Sequence, residues 1–310
     1  MTRGLALALR LVAIAAIAGA LWWLLRRMDL ARLGDALASA DVGLLVLAAL
    51  FSFVSVTCKA AAWRTLLAPR HPIALRRVVR YEIVAAAASA LTPARAGEVL
   101  RAWLLKRREQ IPASETAAVF VVHKLLDALV MLAVFAPVPW LIPGLPAWVG
   151  RALALCALIT LGALIALYVL SRRLDPEKPA TWLRRFLAAF QLMRDARQVG
   201  LALAIFVVLW AAELAVVTTV LRALGLALPL PAGLLVLFTV NLAIIVPSTP
   251  AQLGALELGA LAALDLLHIG REPALAFALL YHAVQILPSL ALGLLLEVRL
   301  VTGRARAIDA

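Results

Sequence analysis

Two stretches of this chain leave few folds open to it. Leu5–Leu25 carries one charge, Arg10, near its start, and Ala152–Leu170 carries none. Apolar runs of about 20 residues have the length of a helix that crosses the hydrocarbon core of a bilayer. Lipid supplies no water to open backbone N–H and C=O groups, so the chain must close its own hydrogen bonds there, as a helix does. Composition agrees: 65% of the 310 residues are apolar and 15% charged, against about 45–50% and about 25% in soluble domains. Such a chain has too little polar surface to cover a core in water.

The predicted fold is an all-α integral membrane protein. Six full spans are expected at 5–25, 42–67, 113–136, 150–170, 199–222 and 273–298. Leu5–Leu25 is too long for the apolar part of a signal peptide and lacks a small-x-small site before Arg26-Arg27, so it is read as a retained span. Two further apolar stretches are broken. One runs 73–91, stops at Thr92-Pro93 and resumes over 95–108; the other runs 231–246, stops at Pro247-Ser248-Thr249-Pro250 and resumes over 251–268. Proline removes a helical donor and clashes with the preceding turn, so each break ends a helix. The halves are too short to cross comfortably, and each broken stretch is expected to form a re-entrant helical hairpin.

The net charge of +13 is placed between spans rather than on one soluble face, which argues against nucleic-acid binding. The loop 171–198 holds Arg172, Arg173, Lys178, Arg184, Arg185, Arg194 and Arg197 and is expected in the cytoplasm. The uncharged 137–149 loop, with four prolines, Trp140 and Trp148, then faces outward. By the same rule the basic stretch 70–80, the Lys106-Arg107-Arg108 cluster and both termini are cytoplasmic, and the expected location is the plasma (inner) membrane. Arg26, Arg27 and Arg32 fit less well, because they land outside; Asp29, Asp35 and Asp41 dilute them. Apolar residues at helical spacing among the arginines of 182–197 suggest an amphipathic helix on the inner leaflet. Cys58 and Cys156 lie inside apolar segments and indicate no disulfide framework.

The two broken stretches resemble each other. Thr92-Pro93-Ala94-Arg95-Ala96-Gly97-Glu98 pairs with Thr249-Pro250-Ala251-Gln252-Leu253-Gly254-Ala255-Leu256-Glu257. Glu98 and Glu257 are 159 positions apart, as are His123 and His282 on the spans that follow. The expected topology gives the copies opposite orientation, and inverted repeats with broken helices characterise alternating-access transporters. By chain order, one transmembrane domain then comprises an N-terminal span (1–40), a first repeat (41–136), a linking span with its amphipathic loop (137–198), and a second repeat with the C-terminal tail (199–310).

Ionisable residues in apolar segments are costly and mark candidate sites. Glu98 has Arg95 and Arg101 three residues away on either side, on one helix face. Either the three form a structural ion pair, or the arginines contact an anionic headgroup that Glu98 helps to orient, aided by free N–H groups at the helix start. Glu257 has no cation within four residues; it is either a neutral structural carboxyl or a proton-coupling group. His123 with Asp127, and His282 with Gln285, share helix faces and are expected to pair, with helix packing as the bland alternative for each histidine. Glu82 and Glu213 are buried carboxylates without an assignable partner. Metal binding finds no third ligand, no cofactor is implied, and no Gly-x-Ser-x-Gly, phosphate-binding glycine loop or sizeable soluble domain supports catalysis.

The run from Leu91 to Arg108 resembles the lysylphosphatidylglycerol synthetase transmembrane, or flippase-like, family, whose first motif is Pro-x-x-x-Gly-Glu-x-x-Arg followed by a basic cluster. The second motif resembles Pro247–Glu257 with the span that follows. The resemblance covers about 75–300 of the chain and implies lipid translocation in the inner membrane, relatives being linked to aminoacylated phospholipids, lipid-linked sugars and hopanoid-associated lipids. Pro93, Gly97, Glu98, Arg101, Pro250, Gly254 and Glu257 match motif positions. There are two departures: His123-Lys124 stands where the family often has Glu-Arg, and Pro250-Ala251-Gln252 where it often has Pro-Gly-Gly. The aminoacyl-transferase domain of full-length synthetases is not in this sequence, so lysylphosphatidylglycerol synthesis is not expected of it.

The expected function is therefore translocation of an anionic, polyprenyl-linked or hopanoid-related lipid. Its headgroup would contact Arg95, Glu98, Arg101, Glu257, His123 and His282, with Pro93, Gly97, Pro250 and Gly254 shaping the breaks. A non-transporting membrane partner of a lipid glycosyltransferase or hopanoid-pathway enzyme is the first alternative. A membrane-embedded lipid-modifying enzyme using His123 and Asp127 is the second.

Overall fold

A computed structural model describes residues 29–68, 70–92, 96–172, 195–245 and 249–301. The expected span at 5–25, Pro93 and Arg95, Pro247 and Ser248, and most of the amphipathic stretch lie outside these residues. Among the described residues every regular element is helical: α1 (Leu30–Ala38), α2 (Val42–Leu67), α3 (Leu75–Leu91), α4 (Ala96–Arg108), α5 (Ala113–Phe135), α6 (Ala147–Arg172), α7 (Ala196–Ala223), α8 (Leu230–Ala243), α9 (Ala255–Leu266) and α10 (Arg271–Val301), with short turns at Val138–Leu141 and Pro250–Gln252.

Local chemistry sets several of these starts. The Asp29 carboxylate accepts from the N–H groups of Ala31 and Arg32, capping α1. Asp41 caps α2 by accepting from Leu44 N at 3.0 Å, while its own N–H donates to the Ala223 carbonyl at 2.9 Å, tying the start of α2 to the end of α7. Pro112 immediately precedes α5, a position that needs no helical donor.

Among the described residues, five helices are long and apolar enough to cross a membrane: α2, α5 continued to Leu141, α6, α7 and α10. They coincide with five of the six expected spans. Only 11% of the apolar window of α6 is buried within the protein, against 44% for α5. Leu155, Leu158, Ile159, Leu161 and Ile165 of α6 are all exposed. Such a surface is stable only against another apolar medium. The bilayer provides it, so α6 faces lipid and α5 faces protein.

The two broken stretches reverse the chain. α3, α4, α8 and α9 have 17, 13, 14 and 12 residues, which gives lengths of about 18–26 Å against about 30 Å of hydrocarbon. A Cβ on Gly97 would overlap the Ala85 carbonyl oxygen and the Ser89 hydroxyl, so α4 lies directly on α3 several residues back from the break. A Cβ on Gly259 would sit 2.7 Å from Val240 Cα, so α9 lies as closely on α8. Collinear half-helices could not make either contact. Every residue from Ala232 to Val240 is buried, which makes α8 an enclosed helix without a polar face.

Several boundaries shift by a few residues from the sequence expectation, and one shift has a clear structural reason. The second hairpin resumes at Ala255 rather than at 251, because the tip is not helical. Ala251 and Gln252 have φ of 53° and 64°, and Gly254 has φ of 85°. The left-handed region costs an L-residue about 1–2 kcal/mol, and glycine avoids that cost only at position 254. With this start, Glu257 is the third residue of α9, as Glu98 is of α4. The order long, short, short, long occurs twice, as α2–α3–α4–α5 and as α7–α8–α9–α10.

Contacts divide the chain into two compact units. One comprises the described residues of Met1–Phe53, Val84–Gly97 and Glu213–Ala310; the other comprises those of Val54–Ile83 and Glu98–Ala212. In the first, α9 packs on α8 and on α10, and α10 packs on α1 through Leu33 against Leu275 and Ala276. In the second, α5 packs on α6.

Candidate functional site

Each unit holds a buried polar cluster built on its returning half-helix. In the second unit it is built on α4. The i, i+3 spacing places Glu98 and Arg101 on one face, and the Arg101 guanidinium is clamped by the Glu98 carboxylate through Nη2 and by the Glu82 carboxylate of α3 through Nη1. The same guanidinium lies over the Trp63 ring of α2, 4.3 Å from its centroid, a cation–π contact. The second carboxylate oxygen of Glu98 is 4.0 Å from Lys124 Nζ on α5. Two carboxylates and two cations therefore alternate in a net-neutral chain, which is how charge is tolerated in a low-dielectric interior.

Exposure is uneven along that chain. The side chains of Arg101 and Glu82 are 5% and 12% exposed, those of Glu98 and Lys124 31% and 43%. Arg101 is thus the anchored member, and it orients Glu98. Of the two sequence readings, the structural ion pair between Glu98 and Arg101 is present. Arg95 lies outside the described residues.

His123 and Asp127 share a face of α5 yet do not pair. Asp127 accepts from the indole N–H of Trp210 at 3.0 Å. The His123 ring is packed against Trp63, with centroids 5.3 Å apart, and edge-on to Phe206 at 4.9 Å. Both His123 ring nitrogens are buried and make no hydrogen bond among the described residues. The expected pair fails because α7 supplies a better donor to Asp127 and aromatic rings enclose the imidazole.

In the first unit the cluster is built on α9 and α10. Glu257, without a cation nearby in sequence, meets Nδ1 of His282. Its other oxygen accepts from Gly254 N at 2.6 Å, closing the first turn of α9. His282 Nε2 lies 3.0 Å from the Ala251 carbonyl oxygen. One turn along α10, Gln285 donates to Glu213 of α7 at 2.7 Å and to the Tyr281 hydroxyl at 3.1 Å, and it accepts from Ser52 at 2.9 Å. The expected His282–Gln285 pair is therefore replaced: each side chain takes a carboxylate from another helix.

Gly97 and Gly254, matched in the sequence, do different work. Gly97 allows two helices to touch, whereas Gly254 turns the chain at positive φ. Trp63 and the partners of Glu82 and Glu213 were not found from sequence. A tryptophan one helix away carries no local signal, and both carboxylate partners are brought in by chain reversal.

These features define a polytopic helical membrane protein with two hairpins, each with a glutamate in an ionic or hydrogen-bonded cluster at the third residue of its returning helix. The chain matches the family model described as the lysylphosphatidylglycerol synthase TM region over residues 10–293. It belongs to that family, which indicates a membrane protein concerned with lipid handling. No curated protein matches it.

Proposed function

We propose that the protein moves a lipid between leaflets, with the headgroup engaged at Glu98 and Lys124. The observation that carries this reading is the graded exposure of the α4 cluster: a buried Arg101–Glu82 base presents one carboxylate and one ammonium at its accessible end. An anionic or phosphate-bearing headgroup has an acceptor for Lys124, and a hydroxyl or amine on it has a donor for Glu98. Anionic phospholipids and polyprenyl-phosphate-linked lipids fall within that class; a hopanoid-related lipid offers only the hydroxyl or amine that Glu98 would accept from. The protein is a translocator, not an enzyme, in this reading.

The doubled element order supports it. If each long helix crosses and each hairpin returns, three crossings separate the start of α2 from the start of α7. The second set then enters from the opposite face, as an inverted repeat does. Positive charge in the 70–80 stretch, at 106–108 and in the 171–198 loop puts the mouth of the first hairpin in the cytoplasm.

The test is reconstitution into vesicles containing tail-labelled fluorescent phosphatidylglycerol, with translocation followed by external quenching. Glu98→Gln and Lys124→Ala each remove one charged contact worth about 1.5–3 kcal/mol, so each is expected to slow transport at least about tenfold. Wild-type rates in both variants, with normal elution on gel filtration, would sink the assignment. Native mass spectrometry of the purified protein would identify the lipid that co-purifies.

A further inference from the structure

Both ring nitrogens of His282 face acceptors. Nδ1 meets the Glu257 carboxylate, and Nε2 lies 3.0 Å from the Ala251 carbonyl oxygen. A carbonyl oxygen can only accept, so Nε2 must carry a hydrogen. A neutral imidazole has one N–H. With that hydrogen on Nε2, a lone pair on Nδ1 would face the carboxylate. The contact to Glu257 is a hydrogen bond only if one more proton lies between the two groups, on Nδ1 or on the carboxyl. Both placements give the same total, a net-neutral pair. Both side chains are buried, Glu257 to 3% and His282 to 6% exposure.

We infer that Glu257 and His282 form a proton-operated latch on the tip of the second hairpin. With its proton, the pair ties three segments together: the start of α9 through Glu257, α10 through His282, and the tip through Ala251. When that proton leaves for the aqueous phase, one N–H remains for two acceptors. Either Glu257 or Ala251 then faces a lone pair, and that contact opens. Ala251 and Gln252 are held at φ of 53° and 64°, which L-residues rarely adopt, so a freed tip relaxes away from this conformation. The latch is closed while the pair holds that proton and open once the proton is lost.

The elements packed around the pair bring few titratable groups. α8 has no titratable side chain. α1 packs through Leu33, with Arg32 and Asp35 exposed. From α7, Glu213 reaches Gln285, one turn beyond His282, where the Tyr281 hydroxyl also bonds; Arg222 is exposed. α2 contributes Ser52, to Gln285. Asp265, His268, Arg271 and Glu272 lie at the connection between α9 and α10, at the far end of α9 from Glu257. The latch stands on this geometry alone. Its coupling to lipid movement rests on the translocation reading.

The experiment places a reporter cysteine at Leu253, which is 55% exposed on the tip, in a full-length Cys58→Ala, Cys156→Ala background. Maleimide labelling in vesicles is followed against pH, corrected for the pH dependence of the reagent on a free thiol. The expected result is slow labelling at low pH and fast labelling at high pH, along a one-proton curve. Glu257→Gln supplies an amide donor to Nδ1 and leaves the Nε2 hydrogen on Ala251, so labelling should stay slow at every pH. His282→Gln removes the titrating ring and should abolish the pH dependence. A flat wild-type curve, or a wild-type curve in either variant, overturns the latch. If one variant fails to fold, the other and the wild-type curve still decide. An intact curve without lipid transport refutes translocation alone; transport with a flat curve refutes the latch alone.

Discussion

Arg101 is held from two sides by carboxylates, so its removal costs more than the loss of one contact. Arg101→Ala leaves Glu82 and Glu98 close together with their common cation gone. Breaking a buried pair in this way costs about 3–5 kcal/mol, and chemical denaturation in detergent should show a loss of that order. In a Glu82→Gln, Glu98→Gln background the same substitution should cost clearly less, because no uncompensated charge remains. An equal loss in both backgrounds would mean that Arg101 acts through packing on Trp63. Part of this cluster is legible in the sequence: Glu98 and Arg101 announce themselves by their i, i+3 spacing. Glu82 does not, since its route to Arg101 goes around the hairpin. Glu257 and His282 are 25 positions apart, and no helical periodicity links them. His123 and Asp127 give the reverse lesson, for correct spacing did not make them partners once Trp210 and Trp63 were near.

At the scale of elements, the hairpins depend on two kinds of glycine. Gly97→Ala drives a methyl into the Ala85 carbonyl, a backbone atom that cannot swing aside. Overpacking of that kind costs about 1–3 kcal/mol, and a lower thermal midpoint in detergent would register it. Gly254→Ala meets a different penalty, about 1–2 kcal/mol for an L-residue at positive φ, at a position that also donates its N–H to Glu257. Trimming Ser89 to alanine should leave the Gly97→Ala defect largely in place, since the backbone clash remains. The breaks themselves were legible from Thr-Pro pairs, and five spans from their apolar runs. The restart of the second hairpin was not, because alanine and glutamine at 251 and 252 read as helix formers while the tip bends them into a left-handed conformation.

For the whole molecule, the ionic chain from Glu82 to Lys124 has a consequence for biogenesis. The ribosome delivers α3 and α4 before α5. α4 carries Glu98 and Arg101 ahead of its basic end at Lys106-Arg107-Arg108, and each charge at the centre of a helix costs about 2.5–3.5 kcal/mol to insert. Once α5 follows, it brings a long apolar segment that inserts by itself, Lys124 for Glu98, and His123 to pack beside Trp63. Chains halted after Arg108 should therefore leave the first hairpin accessible to protease at the membrane surface, and chains extended past Phe135 should protect it. On this account the first hairpin enters the membrane together with a later segment, not helix by helix.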